Sequence, residues 1–211
     1  MSDLPPLGSA VEAIVTVDKS RGFVTQCEGL EVVITAAHCL PHLPPAYSAC
    51  GTQEKTYFNL LGPVGEDNPS IAAECLFVNP VADIAILGAP DNQMFIDQSE
   101  AYWSLMEGKQ LDIVDAPEEG KAWLLDLNME WGPCAFERVA NNLWLTNATQ
   151  GILGGMSGSP IMMENGGAIG VVVVGSIIGP GDADSDMDAC FDGGPNPTLM
   201  ADLPGWFFNN Q

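Results

Sequence analysis

Thr35-Ala36-Ala37-His38-Cys39 ends an apolar, β-branched run and leads into a turn-rich segment. Two further stretches also sit where apolar runs meet tight turns: Ala82-Asp83-Ile84-Ala85-Ile86-Leu87 and Gly154-Gly155-Met156-Ser157-Gly158-Ser159-Pro160. Together they present one His, one Asp and one Ser in chain order. A serine hydroxyl is a poor nucleophile near neutral pH. It needs an imidazole to take its proton and a carboxylate to hold that imidazole's tautomer. His38, Asp83 and Ser157 supply these three groups, 45 residues separating the first two and 74 the last two.

The strand signals around these stretches predict an all-β fold. Short apolar runs at Ala10–Val17, Gly22–Thr25, Leu30–Thr35, Thr56–Leu61, Ala72–Val78 and Asp83–Leu87 are separated by turn residues such as Asp18-Lys19-Ser20, Glu28-Gly29 and Gly62-Pro63. Six such strands fit one small antiparallel barrel. A polar connector follows over 91–110, with a helical turn expected near Glu100–Glu107. A second set is predicted at Ala122–Leu127, Cys134–Val139, Leu143–Thr146, Ile161–Met163, Ala168–Val174 and Thr198–Ala201. The expectation is two antiparallel six-stranded β-barrels, over 10–95 and 111–206, with a cleft between them. The first carries His38 and Asp83, the second Ser157. Pro204–Asn210 reads as a short terminal helix.

The motifs resemble those of the trypsin-like (chymotrypsin-fold) serine peptidases of the compact bacterial kind. Thr35 to Cys39 matches the family's His motif in full, Asp83-Ile84-Ala85 its Asp block, and Gly155-Met156-Ser157-Gly158-Ser159-Pro160 its Ser block. The order His, Asp, Ser is that of this family, distinct from the subtilisin and α/β-hydrolase orders. The resemblance implies hydrolysis of peptide bonds through an acyl-enzyme, with Gly155 and Ser157 donating the oxyanion-hole N–H groups. It also implies a substrate pocket built from Gly151, Ile152, Val173, Val174 and Gly175. With no Asp at Gly151 and no His on the Val171–Val174 strand, it predicts a small or medium apolar P1 side chain, loosely selected because a methylene discriminates by only ~1–3 kcal/mol.

Other residues carry rival readings. His42, between Pro41 and Pro44, reads as a loop residue, and His38 itself could be a core histidine satisfied by a carbonyl. Asp83 could be a solvated turn residue after Asn79-Pro80, and Ser159 is the rival nucleophile. Met156 stands where family zymogens carry the Asp that pairs with a newly cut N-terminus. The oxyanion loop must then be ordered by local packing, by a ligand or by an activating protein partner. Val173 stands where the family has a Ser that supports the catalytic Asp. These departures keep a second function open: a weakly active or inactive peptidase-fold sensor or binding module. An esterase using the same triad is a third.

Composition bounds the partners. The 211 residues carry 28 acidic and 6 basic side chains, a formal charge of −22. Phosphate binding wants a basic patch, so nucleic acid and anionic membranes are not expected as partners. The charge fits solubility or salt adaptation, or a field that attracts cationic substrates. No apolar run reaches the ~18 residues of a membrane helix. Six cysteines occur, at 27, 39, 50, 75, 134 and 190, with no CxxC pair, so zinc is not expected. The family often bridges the Cys after its His to the preceding strand; Cys27 is the candidate partner of Cys39. Met1-Ser2-Asp3-Leu4-Pro5-Pro6 has no basic n-region or apolar h-region, which points to a cytoplasmic protein with free thiols, or to a secreted or periplasmic one whose mature chain is given. The alternating aspartates of Asp182–Asp188 invite calcium, but Met187 and Gly193 stand where an EF-hand loop needs Gly and Glu, and a solvated acidic loop fits as well. A third reading places that loop beside the cleft, favouring cationic residues near P1. The chemistry asks for no metal and no cofactor, and a protein or peptide is the expected substrate.

Overall fold

Twelve strands form two six-stranded antiparallel units in a computed structural model that describes residues 7–45, 52–91, 93–149, 151–173 and 191–208. The first unit contains β1 (Ile14–Val17), β2 (Ser20–Cys27), β3 (Leu30–Ala36), β4 (Thr56–Pro63), β5 (Ile71–Asn79) and β6 (Ile84–Gly88). It is a closed barrel in the order β1-β2-β3-β6-β5-β4, shut by pairing of β1 with β4. Closure leaves no exposed edge. Tight hairpin turns require positive φ, and Asp18, Glu28 and Gly29 supply it at the β1–β2 and β2–β3 corners.

The barrel is filled by β-branched and aliphatic side chains. Val33, Ile34, Ile84, Ile86 and Leu87 are completely buried, each such burial worth ~1.5–3 kcal/mol. The connector forms a helix over Ile96–Met106, longer than the single turn expected. Tyr102 pins it to the barrel, its hydroxyl lying 3.1 Å from the Glu31 carbonyl and 3.2 Å from that of Leu87.

The second unit contains β7 (Glu119–Leu125), β8 (Trp131–Val139), β9 (Asn142–Thr146), β10 (Pro160–Met163), β11 (Ala168–Val171) and β12 (Phe191–Pro197). The sheet runs β11-β10-β7-β8-β9-β12, and its ends approach through one isolated bridge, Gly170 to Thr198. Among the described residues it is a curled sheet whose ends meet at that rung, where the first unit is a closed barrel. The apolar core of the first barrel continues into this sheet through Leu125, Met162 and Val171, so the two units share a packed interface.

Several boundaries differ from the sequence expectation. Ser9–Ala13 is a 3-10 turn, so the first strand is only its second half. Strand β11 stops at Val171, because the Val172 N–H turns to the Ser159 carbonyl and the Val173 N–H to Asn196 Oδ1. The sixth strand lies at Phe191–Pro197, and Leu199–Asp202 is helical. Prolines and glycines survive in β12 because it is an edge strand whose register shifts twice against β9. Near the C-terminus, Gly205–Phe208 forms one 3-10 turn. Among the described residues, no helix is long and apolar enough to cross a membrane.

Candidate active site

His38 and Asp83 meet because β3 and β6 are antiparallel neighbours. The last rung of their ladder pairs Ala36 with Ile84, and the Ala37 N–H then donates to the Asp83 carbonyl at 3.0 Å. One step further, His38 Nδ1 lies 2.6 Å from Asp83 Oδ2, and the His38 backbone N–H donates to Asp83 Oδ1 at 2.8 Å. The carboxylate therefore grips both ring and backbone of one residue. Asp83 reaches this position in the left-handed region, at φ 58°, which aspartate tolerates better than most residues. Asn79 prepares the turn, its Oδ1 accepting the N–H groups of Val81 and Ala82 at 3.1 Å each.

The side chains of His38 and Asp83 are 46% and 29% exposed, so both face solvent and neither is a core residue. The imidazole is raised from its ordinary value to about 9. The largest single cause is a side-chain hydrogen bond with Cys39. Burial pulls the other way, and the hydrogen bond and charge of Asp83 add to the rise. A ring bonded to a carboxylate through Nδ1 leaves Nε2 for a proton in transit.

Ser157 sits on a turn of the second unit that docks onto the first. Its carbonyl accepts the Arg21 N–H from β2 at 3.0 Å. Within the turn, Met156, Gly158 and Ser159 donate their N–H groups to the carbonyls of Leu153, Val172 and Met156 at 3.1, 2.8 and 3.0 Å. The N–H groups of Gly155 and Ser157 make no hydrogen bond among the described residues. Gly155 adopts φ 92° and Gly158 φ 81°, conformations that suit residues without a Cβ. Among the described residues, no hydrogen bond joins Ser157 Oγ to His38.

The remaining residues separate clearly. Ser159 is completely buried, with Oγ 3.5 Å from Arg21 Nη1, and so is closed to an external substrate. Met156 is buried in the second apolar cluster, and its Sδ lies 3.2 Å from the Leu153 N. This packing and this contact hold the Met156 side chain inside the second unit. His42 is an exposed loop residue with its ring near Tyr57. Gly151 is exposed, Ile152 is buried in the second cluster, and Val173 is buried at the end of the Val171–Val173 segment. Val174, Gly175 and the Asp182–Asp188 loop lie outside the described residues. Among the described residues, Cys27 and Cys39 carry free thiols. The β2–β3 register pairs Cys27 with Leu30, at the opposite end of the hairpin from Cys39, so these two cannot bridge.

Sequence reasoning missed Arg21, which is buried and donates through Nη1 and Nη2 to the carbonyls of Leu125 and Asp126 at 3.0 and 2.9 Å. Burial lowers the pKa of this guanidinium and the charge of Asp126 raises it. The signal was one of only six basic residues placed inside an apolar strand.

No family model matches the chain, and no curated protein matches it. Solved structures do. The Rv3671c protein of M. tuberculosis, as a serine-to-alanine mutant in an inactive form, aligns at TM-score 0.54 and 15% identity over 94% of this chain and 86% of that one. The Rv3671c protease in an inactive form aligns at TM-score 0.54 and 16% identity, over 92% and 87%. A structure from work on the folding and binding of the Sesbania mosaic virus VPg protein aligns at TM-score 0.51 and 17% identity, over 80% and 82%. At these identities the likeness is one of architecture: the chain has the fold of the chymotrypsin-type serine proteases.

Proposed function

We propose that the protein is a serine endopeptidase with Ser157 as nucleophile, His38 as general base and Asp83 as its orienting carboxylate. The observation that carries this reading is the double hold of Asp83 on His38, at 2.6 and 2.8 Å. A core or solvated role would not explain a carboxylate that fixes both the tautomer and the position of a half-exposed imidazole. In the proposed reaction, Ser157 Oγ attacks the substrate carbonyl carbon as its proton passes to His38 Nε2. Asp83 stabilises the imidazolium without taking its proton. The N–H groups of Gly155 and Ser157 receive the oxyanion; such a donor is worth ~10²–10³ in turnover. Collapse expels the amine with the His38 proton, and water then releases the acyl group by the same route.

The preference for a small or medium apolar P1 residue belongs to the proposal. In this proposal Gly151 brings no charge, and Ile152 and Val173, buried in the free protein, bring apolar surface. The test is labelling with a fluorophosphonate probe, with and without Ser157→Ala, followed by a peptide-library profile. Labelling of wild type alone, with apolar P1 cleavage, supports the reading. Equal labelling of both proteins sinks the nucleophile assignment, and a profile dominated by Arg, Lys or Glu sinks the P1 assignment.

A second reading, a weakly active or inactive module, is favoured by one observation: the missing hydrogen bond between Ser157 Oγ and His38. Such bonds are often long without substrate and tighten in the Michaelis complex. No labelling of wild type would select the module. Labelling only after a protein is added would select an activated peptidase.

A further inference from the structure

Arg21 has four partners that matter to the reactive centre. Its guanidinium, from β2 of the first barrel, reaches the Leu125 and Asp126 carbonyls at the β7–β8 corner of the second unit. Its backbone N–H holds the Ser157 carbonyl. Its own carbonyl accepts the Thr35 hydroxyl at 2.7 Å, three residues before His38. The β7–β8 corner is itself built to present those carbonyls. Asp126 Oδ1 accepts the N–H groups of Asn128 and Glu130 at 2.8 Å each, and the Asp126 N–H donates to the Glu130 carbonyl at 3.0 Å.

We propose that Arg21 is a positioning residue that converts docking of the two units into the relative placement of Ser157 and His38. This rests on the peptidase reading and adds to it what sets the geometry. A guanidinium presents a rigid planar fork, so two carbonyls on consecutive residues fix its direction as well as its depth. Because the same residue also holds Ser157 and Thr35 by its backbone, a shift of the second unit moves the nucleophile turn relative to the His38 segment. Arg21 touches no reacting atom. It acts only through its grip on the turn.

Lysine keeps the charge but loses the fork. Arg21→Lys is therefore expected to fold with a thermal midpoint close to wild type and to lose kcat by about 10²-fold, the scale of a misplacement of about 1 Å, with KM changed by less than about threefold. The pH profile should keep its shape, since His38 and Asp83 are untouched. Arg21 and Gly155 both line a cavity of about 290 Å³, and this is the expected route for free guanidinium ion to the vacated site. Added guanidinium at millimolar concentration should restore part of the kcat of Arg21→Ala, and methylammonium should not. Wild-type kcat in Arg21→Lys overturns the proposal. So does a loss of kcat in Arg21→Ala that guanidinium leaves unchanged.

Hydrogen exchange separates this proposal from the peptidase reading, because it needs no activity. In Arg21→Lys the amides of Gly158 and Ser159, and those of Asn128 and Glu130, should exchange faster together, while the β3–β6 ladder stays protected. Acceleration of one turn without the other overturns the coupling. If a variant does not fold, the wild type decides: the two turns should open as one exchange unit, and independent opening counts against the proposal. Absence of probe labelling in wild type, with the exchange result intact, would remove the peptidase reading and leave the structural coupling.

Discussion

A Cβ placed on Gly158 would overlap the carbonyl oxygen of Arg21 and come within 2.5 Å of Thr35 Oγ1. The nucleophile turn thus lies directly on the backbone of the first barrel, with no side chain between them. Gly158→Ala is expected to lose more than about 2 kcal/mol of stability, from strain at φ 81° and from displacement of the turn. Urea unfolding measures it. A variant within about half a kcal/mol of wild type, with normal probe labelling, would mean that the turn can lift off without consequence.

Asp83→Asn tests the orienting role. The amide can still accept the His38 N–H, so the fold should hold. It would, however, present a donor or a neutral acceptor to Nδ1 and favour the wrong tautomer. A fall in kcat on the order of 10⁴ with little change in KM is expected. A fall of less than about tenfold would relegate Asp83 to a structural role.

The raised imidazole gives a pH signature. A general base must be neutral, so kcat/KM should climb with pH and level off only above about 9. The stability sign is opposite. Protonated His38 is favoured in the folded state, so its contribution is fully present below pH 6.5 and is lost as pH rises through about 9. Cys39→Ala removes the leading support of the charged ring and should move the activity midpoint to lower pH. A profile already flat by pH 7, in wild type, would contradict the environment assigned to His38.

Tyr102→Phe isolates the anchor of the Ile96–Met106 helix. The hydroxyl is buried against two carbonyls, and its removal leaves them without that donor. A loss of about 1 kcal/mol is expected, read by chemical denaturation, with kinetic constants unchanged. A larger effect on kcat than on stability would show that this helix communicates with the cleft.

The fold was readable from the chain because the first barrel is built from clean signals. Val32-Val33-Ile34 and Ile84-Ala85-Ile86-Leu87 are β-branched or apolar throughout, and the corners carry Asp-Lys and Glu-Gly turn pairs. The second unit was harder. Phe191–Pro197 is a strand despite Gly193, Gly194, Pro195 and Pro197, since an edge with slipped register demands little of its ladder. No local propensity announces that. Ala10–Val17 read as one strand because a 3-10 turn of small residues has no periodicity of its own. The His38–Asp83 pair was legible from motif order. The inter-unit role of Arg21 was not, because a contact across 104 residues leaves no trace in local pattern.

The antiparallel pairing of β3 and β6 has a consequence for how this chain can vary. His38 and Asp83 are one ladder step past the Ala36–Ile84 rung, so their spacing is set by the ladder and not by the length of the loops between them. Insertions at the β4–β5 corner would leave the pair where it is. A single-residue slip of β3 against β6 would do the opposite, turning every side chain of the strand to the other face and carrying His38 away from its carboxylate. Tolerance to length and intolerance to register are therefore two outcomes of the same ladder, and a library of loop insertions should retain the site where a one-residue deletion inside β3 destroys it.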